Sequence, residues 1–261
     1  MDRIEKILYL NESLLEEMPE YRSDAESFPR DDGGQRRLLR SLMNVRMPGA
    51  LREDLLNVQD ELLREEREEK GVVHVSDLPS VPGEERIVLW QGDITRLDTD
   101  AIVNAANSRM LGCFIPCHNC IDNVIHSAAG LQLREECATL MRLQGHEEPV
   151  GQAKITAGYS LPARHVIHTV GPAVEGQLME RHCEQLRSCY CACLQKAEEN
   201  GLESLAFCCI STGVFRFPKE EAAKIAVQTV LDYLAQGGKL NKIVFVVHGD
   251  ENFSIYRSLL Y

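Results

Sequence analysis

Four residues that can bind a metal lie within eight positions of this chain. They are Cys113, Cys117, His118 and Cys120, and an aspartate, Asp122, follows two residues later. Thiolate and imidazole ligands favour zinc over magnesium or calcium, which prefer oxygen. Three protein ligands with one open position are typical of catalytic zinc, whereas four ligands are typical of structural zinc. The spacing predicts a metal site beside a carboxylate, and alone it leaves open whether the site is a closed Cys3His staple.

Length, charge and cysteine content limit the class of protein. The 261 residues suffice for one large α/β domain with a small appendage. The formal net charge of -12 makes nucleic acid and anionic membranes poor general partners. The first residues carry charges and lack the apolar core of a secretory signal, and no stretch approaches the roughly 20 apolar residues of a membrane span. Ten cysteines indicate thiols, so we expect a reducing, cytoplasmic compartment.

Hydrophobic periodicity divides the chain into two regions. Residues 1–75 carry apolar side chains at helical spacing and are predicted to form a helical N-terminal extension. Residues 76–261 alternate short apolar strands with amphipathic helices, which predicts an α/β domain with helices on both faces of a sheet. The predicted strands are 86–91, 101–105, 166–169, 205–210 and 242–248, and the predicted helices are 120–129, 132–143, 179–199, 219–235 and 251–260.

Polar segments follow two of the predicted strands, where α/β sheets bind their ligands. A turn that leads into a helix presents backbone amides to phosphate groups. Residues 211–218, STGVFRFP, fit such a phosphate-binding turn, and an ordinary strand-to-helix turn is the alternative. Asp93 is typical of a cap or turn residue. Asn104 and Asn107, at the end of the second strand, would either brace a turn or hold a ligand.

Four sequence blocks in a fixed order resemble the macrodomain family, whose α/β/α modules bind ADP-ribose. The blocks are GDITRLDTDAIVNAANSRMLG, CIDNVIHSAAG, GQAKITAGYSLPARHVIHTVGP and STGVFRFPKEEAA, and the resemblance runs from about Arg86 to the C-terminus. The second block is similar to the GVDGAIH-like stretch of MacroD-type hydrolases. A cysteine-rich segment replaces their glycine run, as in the zinc-dependent branch of the family, which also carries a helical extension. The resemblance implies a three-layer α/β/α macrodomain with a central mixed sheet.

The resemblance also implies roles for residues that would bind ADP-ribose. Asp93 and Ile94 would contact the adenine, Asp93 as the acceptor for its amino group. Asn107 would hydrogen-bond the distal ribose, and Asn104 would brace the structure. Backbone amides would wrap the diphosphate along a loop that consists of Ser211, Thr212, Gly213, Val214 and Phe215. Arg216 replaces the second glycine of the GxYGYP motif found in relatives without zinc.

The ligand set implied by the resemblance is Cys113, His118 and Cys120, which would hold one Zn²⁺ per chain without Cys117. Zinc would polarise an oxygen of the distal ribose or lower the pKa of a bound water from 15.7 to about 7. Asp122 would orient or deprotonate the attacking water. Together with Asn107, it is the predicted catalytic residue.

The predicted activity is removal of mono-ADP-ribose from modified proteins, by hydrolysis at the anomeric carbon of the distal ribose. ADP-ribosylated proteins would be the partners and ADP-ribose the product. A reader that binds ADP-ribose without turnover is one alternative, and a hydrolase of small esters such as O-acetyl-ADP-ribose is another. A reader needs no metal, so the cysteine-rich segment 113–120 and Asp122 favour an enzyme. His126 and His168 are predicted to be core or supporting residues, not ligands.

Overall fold

The computed structural model describes residues 1–261, which form a helical N-terminal cluster and a layered α/β body. The helices are α1 (Arg3–Glu17), α2 (Arg22–Ala25), α3 (Asp32–Val45), α4 (Glu53–Lys70), α5 (Ile121–Ala129), α6 (Leu131–Gln144), α7 (Glu180–Glu199), α8 (Lys219–Ala235) and α9 (Asp250–Leu260). The strands are β1 (Val73–His74), β2 (Ser80–Val81), β3 (Glu84–Gln91), β4 (Leu97–Asp98), β5 (Ala101–Ala106), β6 (Ala153–Ala157), β7 (His165–Val170), β8 (Ser204–Phe207) and β9 (Lys242–Val247). No helix combines the length and the apolar character needed to cross a membrane.

Seven strands form the mixed central sheet in the order β2-β3-β9-β8-β5-β7-β6. The five inner strands pair in parallel, and β2 and β6 are antiparallel to their neighbours. The inner strands are mostly buried and apolar, as expected for parallel strands that are covered on both faces, and Asn104 of β5 and His168 of β7 are buried polar exceptions. The predicted three-layer α/β/α fold with a mixed sheet is confirmed. Because β5 and β8 are parallel neighbours, the loops that follow them lie at the same edge of the sheet.

The strand predicted over 205–210 is wrong at its end, since β8 stops at Phe207. The chain then enters a turn in which Ser211 has a left-handed φ of 65° and its carbonyl accepts from the Phe217 amide. Ile210 is fully buried below this turn, so burial without strand pairing explains the apolar run. The prediction also missed the edge strand β6, whose side chains are mostly half-buried and carry little apolar signal.

The N-terminal helices bury a hydrophobic core of their own. Asp2 caps α1 and Asp31 caps α3, each by accepting a backbone amide in the first turn. The core contains thirteen buried apolar residues, and one of them, Leu131, belongs to α6 of the α/β body. The Leu131 amide also donates to the Gln59 side chain of α4 at 2.9 Å. The extension is therefore packed against the α/β body through both apolar and polar contacts.

Two leucines of α1, one buried and one exposed, allow the contribution of core packing to stability to be measured apart from that of helix propensity. Leu10 is 1% exposed, whereas Leu8 is 48% exposed. We expect Leu10→Ala to lower the free energy of unfolding by about 2–5 kcal/mol, because it leaves a cavity in a packed core. The control Leu8→Ala should lower it by less than about 1 kcal/mol. Urea unfolding measures both, and equal losses would contradict the assignment of this helix face to the core.

Candidate active site

The loop of residues 107–120 after β5 brings the predicted metal ligands to the start of α5. We call this segment the metal loop. Cys120 is the N-cap of that helix, and its Sγ accepts from the Asn123 amide at 3.5 Å. Asp122 lies in the first helical turn and is 5% exposed. The capping geometry fixes the direction of both side chains, because the cap residue and the first turn have restricted backbone conformations.

Three of the four candidate ligands converge. The ligand atoms of Cys113, His118 and Cys120 all lie within 4.8 Å of one another. Cys113 Sγ is 3.7 Å from His118 Nδ1. Tetrahedral zinc with bonds of about 2.3 Å to sulfur and 2.0 Å to nitrogen places such atoms roughly 3.5 Å apart. All three residues are partly exposed, so the donor set fits a zinc ion with one position facing solvent.

Burial affects one of these ligands. It raises the pKa of the Cys120 thiol to about 11. A bound cation reverses this effect because it stabilises the thiolate. The shift therefore does not argue against Cys120 as a ligand.

Cys117 faces helix α3. Its Sγ lies 3.3 Å from Ser41 Oγ, and its amide donates to Asn44 Oδ1 at 2.9 Å. The residue has a left-handed φ of 54°, which turns its side chain out of the ligand group. Arg40 of α3 donates to the carbonyl of His118 at 2.9 Å. The N-terminal extension therefore holds the metal loop, a role that no sequence pattern indicated.

Arg134 of α6 is a second support for the metal loop that the sequence did not reveal. It is 4% exposed, and its Nε donates to the Leu111 carbonyl at 2.7 Å. Its guanidinium lies 4.4 Å from the centre of the Phe114 ring and also donates to the Met43 carbonyl of α3. Burial lowers its pKa to about 10, which leaves it charged at neutral pH. One cation thus joins the metal loop to the extension.

Asp122 is held by two amide side chains. Asn104 Nδ2 donates to Asp122 Oδ1 at 2.8 Å, and Asn107 Nδ2 is 3.2 Å from Oδ2. Burial raises the pKa of the Asp122 carboxyl to about 6, although the bond from Asn104, the charge of Arg134 and the bond from Asn107 act in the opposite direction. Asn107 also donates to the carbonyl of Gly112 at 3.0 Å. Asn107 thereby links the carboxylate to Gly112 of the metal loop.

A buried chain of hydrogen bonds extends from Asp122 into the core. Asn104 Nδ2 is 3.1 Å from His168 Nδ1, and His168 Nε2 is 3.0 Å from Thr156 Oγ1. Because Asn104 donates to Nδ1, the proton of His168 lies on Nε2. Burial lowers the pKa of His168 to about 3, so the ring is neutral. His126 is also buried, and its Nε2 lies 3.5 Å from Asp122 Oδ1.

Asp93 lies at the end of β3 and caps the short 3-10 turn Ile94–Arg96. Its Oδ1 accepts from the Thr95 amide at 3.0 Å and from the Thr95 hydroxyl at 2.7 Å. These contacts use one carboxylate oxygen and orient the other. Both the turn role and the ligand role considered from the sequence are compatible with this geometry.

The loop after β8 has a tight backbone. Arg216 adopts a left-handed φ of 56°, a conformation that glycine adopts more readily than other residues. The Arg216 amide donates to the Gly213 carbonyl at 3.0 Å, and Val214 at the tip is 68% exposed. The Ser211 hydroxyl is buried without a partner. The chain thus forms a tight turn after β8, at the same edge of the sheet as the loop after β5.

Comparisons with known proteins cover both regions of the chain. The sequence profile of the Macro domain family matches residues 103–226. A Treponema medium protein named protein-ADP-ribose hydrolase is 49% identical over 262 residues, and the match covers 100% of both chains. A Staphylococcus aureus (strain MSSA476) protein of the same name is 48% identical over 221 residues, which cover 84% of this chain and 82% of its own. The crystal structure of a Trypanosoma brucei macrodomain in complex with ADP-ribose has a TM-score of 0.67 at 32% identity, covering 85% of this chain and 95% of its own.

Proposed function

The chain belongs to the macrodomain family, and on this basis we propose that it is a zinc-dependent hydrolase that removes mono-ADP-ribose from modified proteins. The names of relatives that are 48–49% identical support ADP-ribosyl hydrolysis. The observation that carries the proposal is the convergence of Cys113, His118 and Cys120 at the start of the helix that carries Asp122. The arrangement resembles the zinc-dependent branch of the family more than the glycine-run MacroD type.

The metal would be held by the three converging ligands. Its fit is supported by their separations, by their soft donor atoms and by their partial exposure. When bound, zinc supplies Lewis acidity toward a ribose oxygen or a more acidic water. Arg40 and Arg134 would keep the ligands together, since both donate to carbonyls of the metal loop or its flank. Supporting contacts of this kind commonly control metal affinity.

The side chains of the protein would position substrate and water. Asp93 would accept from the adenine amino group, and the amides of residues 211–215 would bind the diphosphate. Asn107 would hydrogen-bond the distal ribose beside Asp122 through its Oδ1, because both protons of its Nδ2 are donated to Gly112 and Asp122. Asp122 would take a proton from the attacking water as the water oxygen bonds to the anomeric carbon and the bond to the acceptor side chain breaks. That proton would then pass to the departing acceptor, or to solvent where the acceptor leaves as a carboxylate. Both carboxylate oxygens are already oriented by amide donors, which lowers the cost of placing the base.

A panel of substrates tests the proposed reaction. Purified protein is incubated with proteins that carry ADP-ribose on aspartate, arginine or serine, and with O-acetyl-ADP-ribose. We expect release from at least one of the modified proteins. Tight binding of ADP-ribose without release from any substrate would identify a reader, and release only from the acetyl ester would identify a small-ester hydrolase.

The buried hydrogen-bond chain predicts a remote effect on turnover. In His168→Phe the amide of Asn104 loses the acceptor that fixes its orientation toward Asp122. We expect kcat to fall by about 10- to 100-fold, equivalent to roughly 1.5–3 kcal/mol, while the affinity for ADP-ribose is retained. The control is His165→Phe on the same strand, since His165 is half-buried and contacts only a carbonyl. Turnover and ADP-ribose calorimetry measure the two effects, and equal kcat losses in both variants would rule out this role.

A further inference from the structure

A basic cleft lies between the N-terminal helices and the α/β body. Its volume is about 360 Å³, and its walls come from α3, α4, α5, the turn Ile94–Arg96 and residues 160–162. Seven cationic side chains line it, and Arg3 and Arg36 are paired with glutamates of the same lining. The other five define what we call the basic cleft: Arg37, Arg40, Arg67, Lys70 and Arg96. Such a concentration of positive charge is unexpected in a chain whose formal net charge is -12.

Both glutamates of the lining are already paired with other cations. Glu69 pairs with Arg3 at 2.6 Å. Glu66 pairs with Arg36 at 2.6 Å and with Arg3 at 3.4 Å. The remaining acidic residue, Asp93, accepts from the backbone and hydroxyl of the next turn. The two glutamates are therefore neutralised by Arg3 and Arg36. None of the five cations of the basic cleft forms an ion pair with a carboxylate of the protein.

The five cations keep their charge available. Arg40, Arg67 and Arg96 donate to main-chain carbonyls, which orient a guanidinium but do not neutralise it. Arg40 Nε is buried without any partner. Arg37 and Lys70 are exposed. A cleft lined by charges of one sign focuses its field and attracts an oppositely charged group.

The position of the cleft indicates which part of the substrate it would meet. It shares Asp93 and Thr95 with the turn assigned above to adenine, so it would lie beside bound ADP-ribose. No residue of the diphosphate loop 211–215 lines it, so the phosphates of ADP-ribose have a separate site. Guanidinium groups bind carboxylates through paired hydrogen bonds. We propose that the basic cleft docks an acidic segment of the ADP-ribosylated protein, an inference that rests on the proposed function.

Paired peptides test this docking site. Each synthetic peptide carries one ADP-ribosyl group in the linkage that the protein cleaves, flanked by three glutamates on each side or by three glutamines. We expect the KM of the glutamate peptide to be about tenfold lower, the combined effect of a few exposed ion pairs. The difference should disappear in Arg37→Glu/Lys70→Glu, with kcat and ADP-ribose affinity unchanged. The matched control is Arg30→Glu/Arg64→Glu, because both residues are exposed, lie outside the cleft and give the same change in net charge.

Each outcome decides the proposal. Equal KM values for the two peptides, or equal effects of the two double variants, would overturn it. Competition by inorganic phosphate without a difference between the peptides would assign the cleft to a small anion and would also overturn it. If neither peptide is cleaved, the hydrolase proposal fails, and fluorescence anisotropy of the labelled, unmodified glutamate peptide tests docking separately. Binding that Arg37→Glu/Lys70→Glu removes would then support docking, and absence of binding would exclude it.

Discussion

Replacement of Cys113 by alanine is expected to remove both the bound zinc and the release of ADP-ribose. The change leaves two of the three converging ligands, and two ligands do not hold zinc against solvent. We expect turnover to fall by about 100-fold or more, since the metal supplies several kcal/mol of the catalytic effect. Cys113 lies in a loop and is partly exposed, so the fold should persist. Metal content per chain, turnover and ADP-ribose affinity are the measurements.

Cys117→Ala is the matched control for that variant. Cys117 lies four residues from Cys113, but its thiol contacts Ser41 and not the ligand group. The alanine variant should keep one zinc per chain and nearly full turnover. Loss of zinc in this control would indicate a closed four-ligand site. Full activity of a metal-free Cys113→Ala protein would end the catalytic-metal hypothesis.

Asp122→Asn is expected to lower turnover by about 10²- to 10⁴-fold, the usual contribution of a positioned general base. The amide has nearly the shape of the carboxylate but cannot accept a proton from water. Because Asn104 and Asn107 each donate to one carboxylate oxygen, the amide nitrogen of the variant would face another donor, and we expect the melting temperature to fall modestly while the zinc is retained. Single-turnover release, metal content and melting temperature measure these effects.

The outcomes of the Asp122 variant separate a chemical role from a structural one. Retained zinc and retained affinity for ADP-ribose, measured by calorimetry, with lost turnover would assign the carboxylate to the reaction. Asp98→Asn, at an exposed position on β4, is the control for a change of one surface charge. Wild-type turnover in Asp122→Asn would remove the carboxylate from the mechanism.

Local patterns predicted the alternation of strands and helices and the position of the candidate metal site, and the resemblance to the macrodomain family supplied the mixed sheet and the choice of three ligands. Helical and strand periodicity identified the inner strands and the helices because each apolar face is periodic along a single segment. The candidate ligands Cys113, His118 and Cys120 lie within one loop, so a metal site could be predicted there from spacing, and the structure brings their ligand atoms within 4.8 Å of one another. The end of β8 was missed because Cys208 and Ile210 are buried without strand pairing.

The supports of the site could not be predicted, because they join residues that are far apart in sequence. Arg40 and His118 are separated by 78 positions, and Asn104 and His168 by 64. Neither pair leaves a periodic or local signature, since each depends on how helices and strands pack. Arg134 resembled an ordinary helical arginine until its carbonyl partners were known. The sequence thus indicated the groups that could react, and the structure showed what holds them.

The rate of ADP-ribose release as a function of zinc bound per chain is the most direct test of the proposed zinc-dependent hydrolysis. Chelated protein is reloaded stepwise, and metal content is measured beside the release of ADP-ribose from a modified protein. We expect no release from the chelated protein and a linear rise that stops at one zinc per chain. A chelated protein that releases ADP-ribose at the full rate would contradict it.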